Sequence, residues 1–438
     1  MKILLITPEY PPDFGGGIVR YARDLAIALK DQGCRVSVLK GSAFLNGQDA
    51  YEQEGVPVST LETARFEHWL GRFGHLGMFP VLRRHLSAAF ALHEQVNAGE
   101  GYDVVEVTDW GLLFLPWMLK SMTRVLVSMH GSTGQIAARE PVAGHETEGM
   151  VSLLLERAGL ANAHGLSASS RANRNWWESL LGRSVNYTLP PMAYPTAEVR
   201  TSVAGIHWLT VGRIQHWKGP HIACAAWQAL GVDAPSLHWI GRDIDHGSSG
   251  LSTDTWLKRE FPTVWRRAIQ PIGQFKPEEV FQRMHDAKAV IVPSLWDTFN
   301  LAAAEAMALG KVVVISDGAG AVDLVEHGVN GFVFPNGNSF ALAELVKRVE
   351  SLSLNELNII GQRAASTIRE KLDPTRIASE KIQLYSSLPE PAINKRPWLM
   401  ESLFHGTQSN PLAFLDGLPL KALITYVARR GLNMGLRR

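Results

Sequence analysis

Short apolar runs alternate with helical patterns through most of the chain. "KILLIT", "RVSVLK", "DVVEVT" and "RVLVSMH" mark the first half, and "HWLTVG", "SLHWIG", "AVIVPS", "KVVVIS" and "GFVFP" the second. The first helix is clear, because Val19, Ala22, Leu25, Ala26 and Leu29 share one face before Gly33 ends it. Such alternation predicts an α/β protein of parallel sheets covered by helices on both faces. Between the halves, "LPPMAYPTAEVRTSVAG" (189–205) is rich in proline and small residues and has no apolar period, which predicts a linker. In each half, strands end in glycine-containing loops that lead into helices, so a ligand is expected beyond the carboxyl ends of the strands. Two such sheets facing each other make a cleft, and the pattern predicts a substrate held between domains.

Length agrees with this division, since 438 residues exceed one ordinary core and suggest two domains of roughly 200 residues. The formal net charge of +1 provides no general basis for binding nucleic acid. Cys34 and Cys224 fall in different halves with neither disulfide-framework density nor metal-ligand spacing, which fits a reducing, cytoplasmic setting. "MKILLITPEYPP" reads as a first buried strand, too short for a signal peptide. "WGLLFLPWMLK" comes nearest to a membrane span but falls short of the roughly 18 to 20 apolar residues one needs.

Three stretches carry candidate chemistry. In "PEYPPDFGGGIVRYA", Gly15, Gly16 and Gly17 directly precede the first helix, where bare backbone and the helix dipole favour an anion; a tight turn is the plain alternative. The G-x-G-x-x-G spacing of a dinucleotide site is missing there. In "TVGRIQHWKGP", Arg213 and Lys218 stand five residues apart between Gly212 and Gly219, and two such cations can hold a diphosphate and stabilise its charge as it leaves. In "PSLWDTFNLAAAEAMALG", Asp297 or Thr298 is expected to cap a helix whose first amides, near Phe299, Asn300 and Leu301, face a phosphate. Glu305, about 1.5 turns beyond Asn300, is placed to grip vicinal hydroxyls such as those of a ribose, and Asp297 those of a second sugar. A plain cap and an exposed helical acid form the competing reading of this pair.

Together and in this order, "GRIQHWKG", "VPSLWDTFNLAAAEAMALGKVVVIS" and "DLVEHGVNGFVFP" resemble the phosphate, Glu-x7-Glu and glycine-rich segments of retaining nucleotide-sugar glycosyltransferases. The resemblance is to the large group that includes glycogen and sucrose synthases. It is strongest over Val211 to Pro335 and is supported by the glycine loop and by "VLVSMHGS" around His130. It implies the GT-B fold: two facing Rossmann-like, doubly wound domains with the substrate cleft between them. The implied division is 1–190, a linker at 191–205, a donor domain at 206–375, a helix at 376–390 returning to the first domain, and a tail at 391–438.

The resemblance also implies roles. Arg213 and Lys218 would bind the donor diphosphate, Glu305 the ribose, and Asp297 the transferred sugar. Backbone around Phe299, Asn300 and Leu301 would help hold phosphate, Gly16 and Gly17 would lie near the diphosphate and acceptor, and His130 would approach the donor sugar. The family usually has glutamate at Asp297 and at Asp323, and glycine at Thr298 and Asn300. Retention is usually explained there by front-face displacement, in which the leaving diphosphate helps take the acceptor proton. No cofactor and no metal are expected, although "DID" at 243–245 offers a weak metal-clamp alternative. Partners would be a nucleoside diphosphate sugar and a glycan or lipid-linked acceptor. A carbohydrate-binding or scaffolding protein with a degenerate site is the alternative from another class.

Asp109 and Trp110, after a strand in the first half, are acceptor-side candidates, since an aromatic beside a carboxylate suits a sugar. "RFEHWLGRFGHLGMFPVLRRHL" (65–86) suits an acceptor, an anionic membrane surface, or a helical core face with solvated arginines. The last twenty residues carry five cations and no acid beside an apolar set, which suits surface attachment to a membrane or partner and equally a packed helix with a basic end.

Overall fold

A computed structural model describes residues 1–13, 16–139, 146–193, 205–247 and 250–391, with 421, 424, 425 and 428. All nine apolar runs become strands. The first sheet comprises β1 (Lys2–Thr7), β2 (Arg35–Lys40), β3 (Tyr51–Gln53), β4 (Val56–Thr60), β5 (Val104–Thr108), β6 (Arg124–Met129), β7 (Gly165–Ala168) and β8 (Asn186–Tyr187). Its order is β3-β4-β2-β1-β5-β6-β7-β8, with every pairing parallel except β3 with β4. The second comprises β9 (Trp208–Val211), β10 (Leu237–Ile240), β11 (Ile269–Gly273), β12 (Ala289–Val292), β13 (Val312–Ser316) and β14 (Phe332–Phe334), all parallel in the order β11-β10-β9-β12-β13-β14.

Helices cover both faces of both sheets, which is why the central strands read as continuous apolar runs: β5 and β13 are buried at every position. Each sheet divides an apolar core into two layers. Strand order reverses between β1 and β5 in one sheet and between β9 and β12 in the other. Ligands of doubly wound sheets sit outside the carboxyl ends of the strands at such switch points. The loops leaving those four strands carry Gly16 and Gly17, Asp109 and Trp110, Arg213 and Lys218, and Asp297 to Leu301.

After the second domain, the helix Pro374–Ser387 lies against the first. Its Ala378 and Tyr385, and Leu388 just beyond, join the apolar layer of Ile3, Leu5 and Leu25. The two crossings between domains run side by side, as the Met192 N–H donates to the Leu372 carbonyl at 3.0 Å. Within the expected linker, 194–204 lie outside the described residues. The same holds for nearly all of the tail, whose described Lys421, Ile424, Thr425 and Ala428 are exposed.

The stretch 65–86 belongs to the core. It falls within the helices Thr63–Arg72 and Pro80–Gln95 and the turn joining them. Phe66, Phe73, Leu76, Phe79, Leu82 and Leu86 are buried, while Arg83 and Arg84 donate to the carbonyls of Leu70 and Ala43. Arginine stems pack on the apolar helices while their heads satisfy chain ends. Among the described residues, no helix is long and apolar enough to cross a membrane.

Candidate functional site

The turn after β9 is pressed against the exit of β12. Gly219 adopts φ 72°, and a Cβ there would lie 1.9 Å from the Pro293 carbonyl oxygen, so only glycine allows the approach. Lys218 is thereby delivered to Asp297, with Nζ 2.5 Å from Oδ2 and both side chains largely buried. The same oxygen accepts the Asn300 side-chain amide at 2.8 Å. Among the described residues, Oδ2 therefore meets two donors.

Asn300, rather than the expected Asp297 or Thr298, caps the helix Leu301–Ala308: its Oδ1 accepts the Ala303 N–H at 2.9 Å. The cap sits at φ 84°, a left-handed conformation that asparagine tolerates and glycine favours. Thr298 serves the domain interface instead, donating to the His130 carbonyl at 3.1 Å. Asp323 does likewise, accepting the Arg171 N–H at 2.7 Å. Phe299 is buried in the second domain's core, and its carbonyl accepts the Ala321 N–H.

Across the cleft, a Cβ on Gly17 would stand 3.4 Å from Leu301 Cδ1, so the first helices of the two sites approach closely; the space around Gly16 is open. Glu305 lies along the same helix and faces the first domain. Burial pushes its carboxyl up to about 7, with Arg20 opposing the shift and Asp24 adding to it. Arg20 is itself held by Asp24 at 2.9 Å and by the Ala193 carbonyl at 3.0 Å. Arg213 is exposed on the turn after β9 and its charge reaches Glu9 of the first domain. Burial raises that carboxyl most, with Asp13 adding; Arg213, Arg242 and Lys40 oppose.

His130 directly follows β6, with its ring centroid 4.3 Å from that of Tyr21. Burial pushes the imidazole down to about 4, so the ring is neutral near pH 7. Asp109 does not line the cleft as expected. It is fully buried, and its Oδ1 accepts the His130 N–H at 2.8 Å. Burial pushes this carboxyl up to about 7 against the backbone amides around it. Its role is to hold the His130 turn. Trp110 is half-buried, edge-on to His85 at 5.2 Å. Asp243 accepts the Asp254 N–H at 2.9 Å, which ties the "DID" segment to the start of the next helix.

Beneath the same turn, Glu156 accepts the Ser132 hydroxyl at 2.6 Å and the Gly134 N–H at 2.8 Å. Burial pushes its carboxyl up to about 8. The folded protein then holds a proton that the unfolded chain, with glutamates near 4.3, releases, so stability falls as pH rises between those values. We expect Glu156→Gln to remove a pH-dependent loss on the order of a few kcal/mol. Thermal melts should show its Tm gaining on wild type from pH 5 to pH 8.5. Parallel curves would refute the assignment.

Sequence reasoning missed Arg20 and Tyr21, and beneath the Tyr21 hydroxyl the buried pair of Glu106 and Lys381. Glu106 left a signal, an acid inside the apolar run "DVVEVT". Arg20 and Tyr21 sit just past the glycine loop but share no recognisable spacing with it. Lys381 left none.

The model for glycosyl transferases group 1 matches residues 206–367, and that for the glycosyl transferase 4-like domain matches 16–193. The chain is 24% identical to an uncharacterized glycosyltransferase of Methanocaldococcus jannaschii over 412 residues, covering 88% of this chain and 98% of the relative. It is equally similar to the glycogen synthase of Mycobacterium tuberculosis, over 88% of this chain and 94% of that one. Among solved structures, sucrose-phosphate synthase from Thermosynechococcus elongatus superposes with a TM-score of 0.69 at 21% identity, over 88% and 98% of the two chains. Anabaena HepE, solved in complex with UDP and glucose, gives 0.64 at 20% identity, over 89% and 100%.

Proposed function

The chain belongs to the glycosyl transferases group 1, enzymes of GT-B fold, and from that premise we propose that it is a retaining transferase. The donor is a nucleoside diphosphate sugar, and the acceptor a glycan, lipid-linked or other glycoconjugate. One observation supports this reading: Lys218 reaches Asp297, Thr298 reaches the His130 carbonyl and Leu301 lies against Gly17, so loops of both domains meet at the carboxyl ends of their strands. The UDP and glucose bound by HepE support the donor class.

In this reading Glu305 accepts ribose hydroxyls, while Arg213 and Lys218 neutralise the diphosphate. Asp297 presents Oδ1 to the transferred sugar. Its Oδ2 keeps Lys218 beside the same sugar–phosphate bond, so one residue orients both sides of the bond that breaks. Neutral His130 faces the sugar and can accept or donate one hydrogen bond without adding charge. A leaving phosphate oxygen takes the acceptor proton on the face the acceptor attacks, and the protein contributes orientation and charge stabilisation. Transfer proceeds without a metal cofactor, because the cations and helix amides serve the diphosphate.

Nucleoside diphosphate release, measured over a panel of nucleotide sugars with and without acceptors, tests this. One donor class should turn over, with the product's anomeric configuration retained, and EDTA should not lower the rate. Loss in EDTA with recovery on manganese would overturn the metal-free mechanism. Nucleotide binding without turnover of any donor would instead mark a binding protein.

A further inference from the structure

The roles above leave unused the most deeply buried ion pair among the described residues. Lys381, on the helix that returns to the first domain, places Nζ 3.1 and 3.2 Å from the two oxygens of Glu106 on β5; their side chains are 0% and 4% exposed. Glu106 also accepts the hydroxyls of Tyr21 at 2.6 Å, Ser128 at 2.6 Å and Tyr385 at 2.5 Å. Removing two charges from water is costly, and a buried pair is weak evidence of stability, since apolar side chains of similar volume often do as well. Its position suggests another use. Tyr21, fixed at its hydroxyl by Glu106, lays its ring against His130, and both rings, with Glu106 and Ser128, line one small and largely apolar cavity.

We propose that Lys381 and Glu106 are positioning residues that hold Tyr21, and through it the His130 ring, for the transfer step. The site in the first domain is then completed by a residue supplied after the second. No hydrogen bond from the His130 ring to a described residue fixes its orientation, so Tyr21 is the wall that does. The ionisable groups acting on this ring are Tyr21 on the first helix, Glu106 on β5 and Lys381 from the returning helix, while Asp109 meets the backbone N–H of the same residue. Glu106 raises the imidazole pKa and Lys381 lowers it, so the pair also keeps the ring's charge balanced. This inference rests on the role given to His130 in donor transfer.

The test compares Tyr21→Phe, Lys381→Met and Lys381→Met/Glu106→Gln in the full chain. Tyr21→Phe deletes one hydroxyl and should lower kcat about tenfold or more, as misplacement by a fraction of an ångström does, with KM for the donor nearly unchanged. Lys381→Met leaves an anion under His130 and should raise the imidazole pKa, followed by NMR of the ring, moving the acid limb of kcat to higher pH. The double variant removes both charges and keeps an amide oxygen for the Tyr21 hydroxyl. It should return the pH limb towards wild type and recover part of kcat. Wild-type kcat and an unmoved imidazole pKa across the set would overturn the proposal, as would kcat and KM falling together in step with Tm. Should Lys381→Met fail to fold, Tyr21→Phe decides alone. If wild type transfers no sugar, the donor reading fails, while the imidazole titration still judges the positioning.

Discussion

Lys218→Ala is expected to lower turnover about a hundredfold to a thousandfold, the usual effect of removing a donor aimed at charge that grows in the transition state. The leaving diphosphate gains negative charge as the sugar bond breaks, so the ammonium acts more strongly there than in the ground state, and KM should change far less than kcat. Lys218 is largely buried, which limits screening by salt and water. Arg213, on the exposed turn, should show the same direction with a smaller effect. Removing Lys218 also strips Asp297 of its charged partner at 8% exposure, so some thermal stability is lost as well. Lys218→Ala/Asp297→Asn separates the two effects, since it should recover Tm without recovering turnover. Normal turnover in folded Lys218→Ala protein would end the leaving-group role.

Glu305→Ala should weaken nucleoside diphosphate binding by about 1.5 to 3 kcal/mol, the scale for losing hydrogen bonds to a charged group. The buried carboxyl, pushed up to about 7 in the ligand-free protein, adds a pH signature. Ribose hydroxyls donate to the ionised form, so the ligand selects carboxylate over carboxylic acid and binding should release a proton near neutral pH. Affinity then rises with pH through about 7 and levels off above it. Calorimetry in buffers of different ionisation enthalpy reads that proton directly. Glu305→Gln keeps a hydrogen-bond acceptor, loses the charge, and should bind with intermediate affinity that no longer rises through this pH range. Unchanged affinity in folded Glu305→Ala protein, or proton release that persists without the acid, would remove Glu305 from the nucleotide.

Much of the architecture was legible. Nine of the fourteen strands are local apolar runs, and the need to bury such runs on both faces dictates helices above and below wherever they fall in the fold; β3 (Tyr51–Gln53) and β8 (Asn186–Tyr187) carry no such run and come from the pairing alone. The order of motifs along the chain was enough to bring Lys218 and Asp297 to one edge of the sheet, because loops after parallel strands all open there. The helix cap was not legible. Asp297, Thr298 and Asn300 are all capping residues by type, and the left-handed turn that selects Asn300 is imposed by the path from β12.

Asp109 marks the same boundary from the other side. An acid beside a tryptophan after a strand has the composition of a sugar subsite, and only the packing around it shows a buried carboxyl holding the His130 amide. What the sequence by itself determined, then, is the nine apolar strands, the two domains and the loops that bear the charged groups, since these follow from periodicity and spacing over a few residues. The tertiary structure alone decided that Asp109 holds the scaffold while Asp297 pairs with Lys218. It also brought Lys381 to Glu106 across 275 positions of chain. A side chain's charge state and partner depend on burial and on groups distant in sequence, and local pattern carries no record of either.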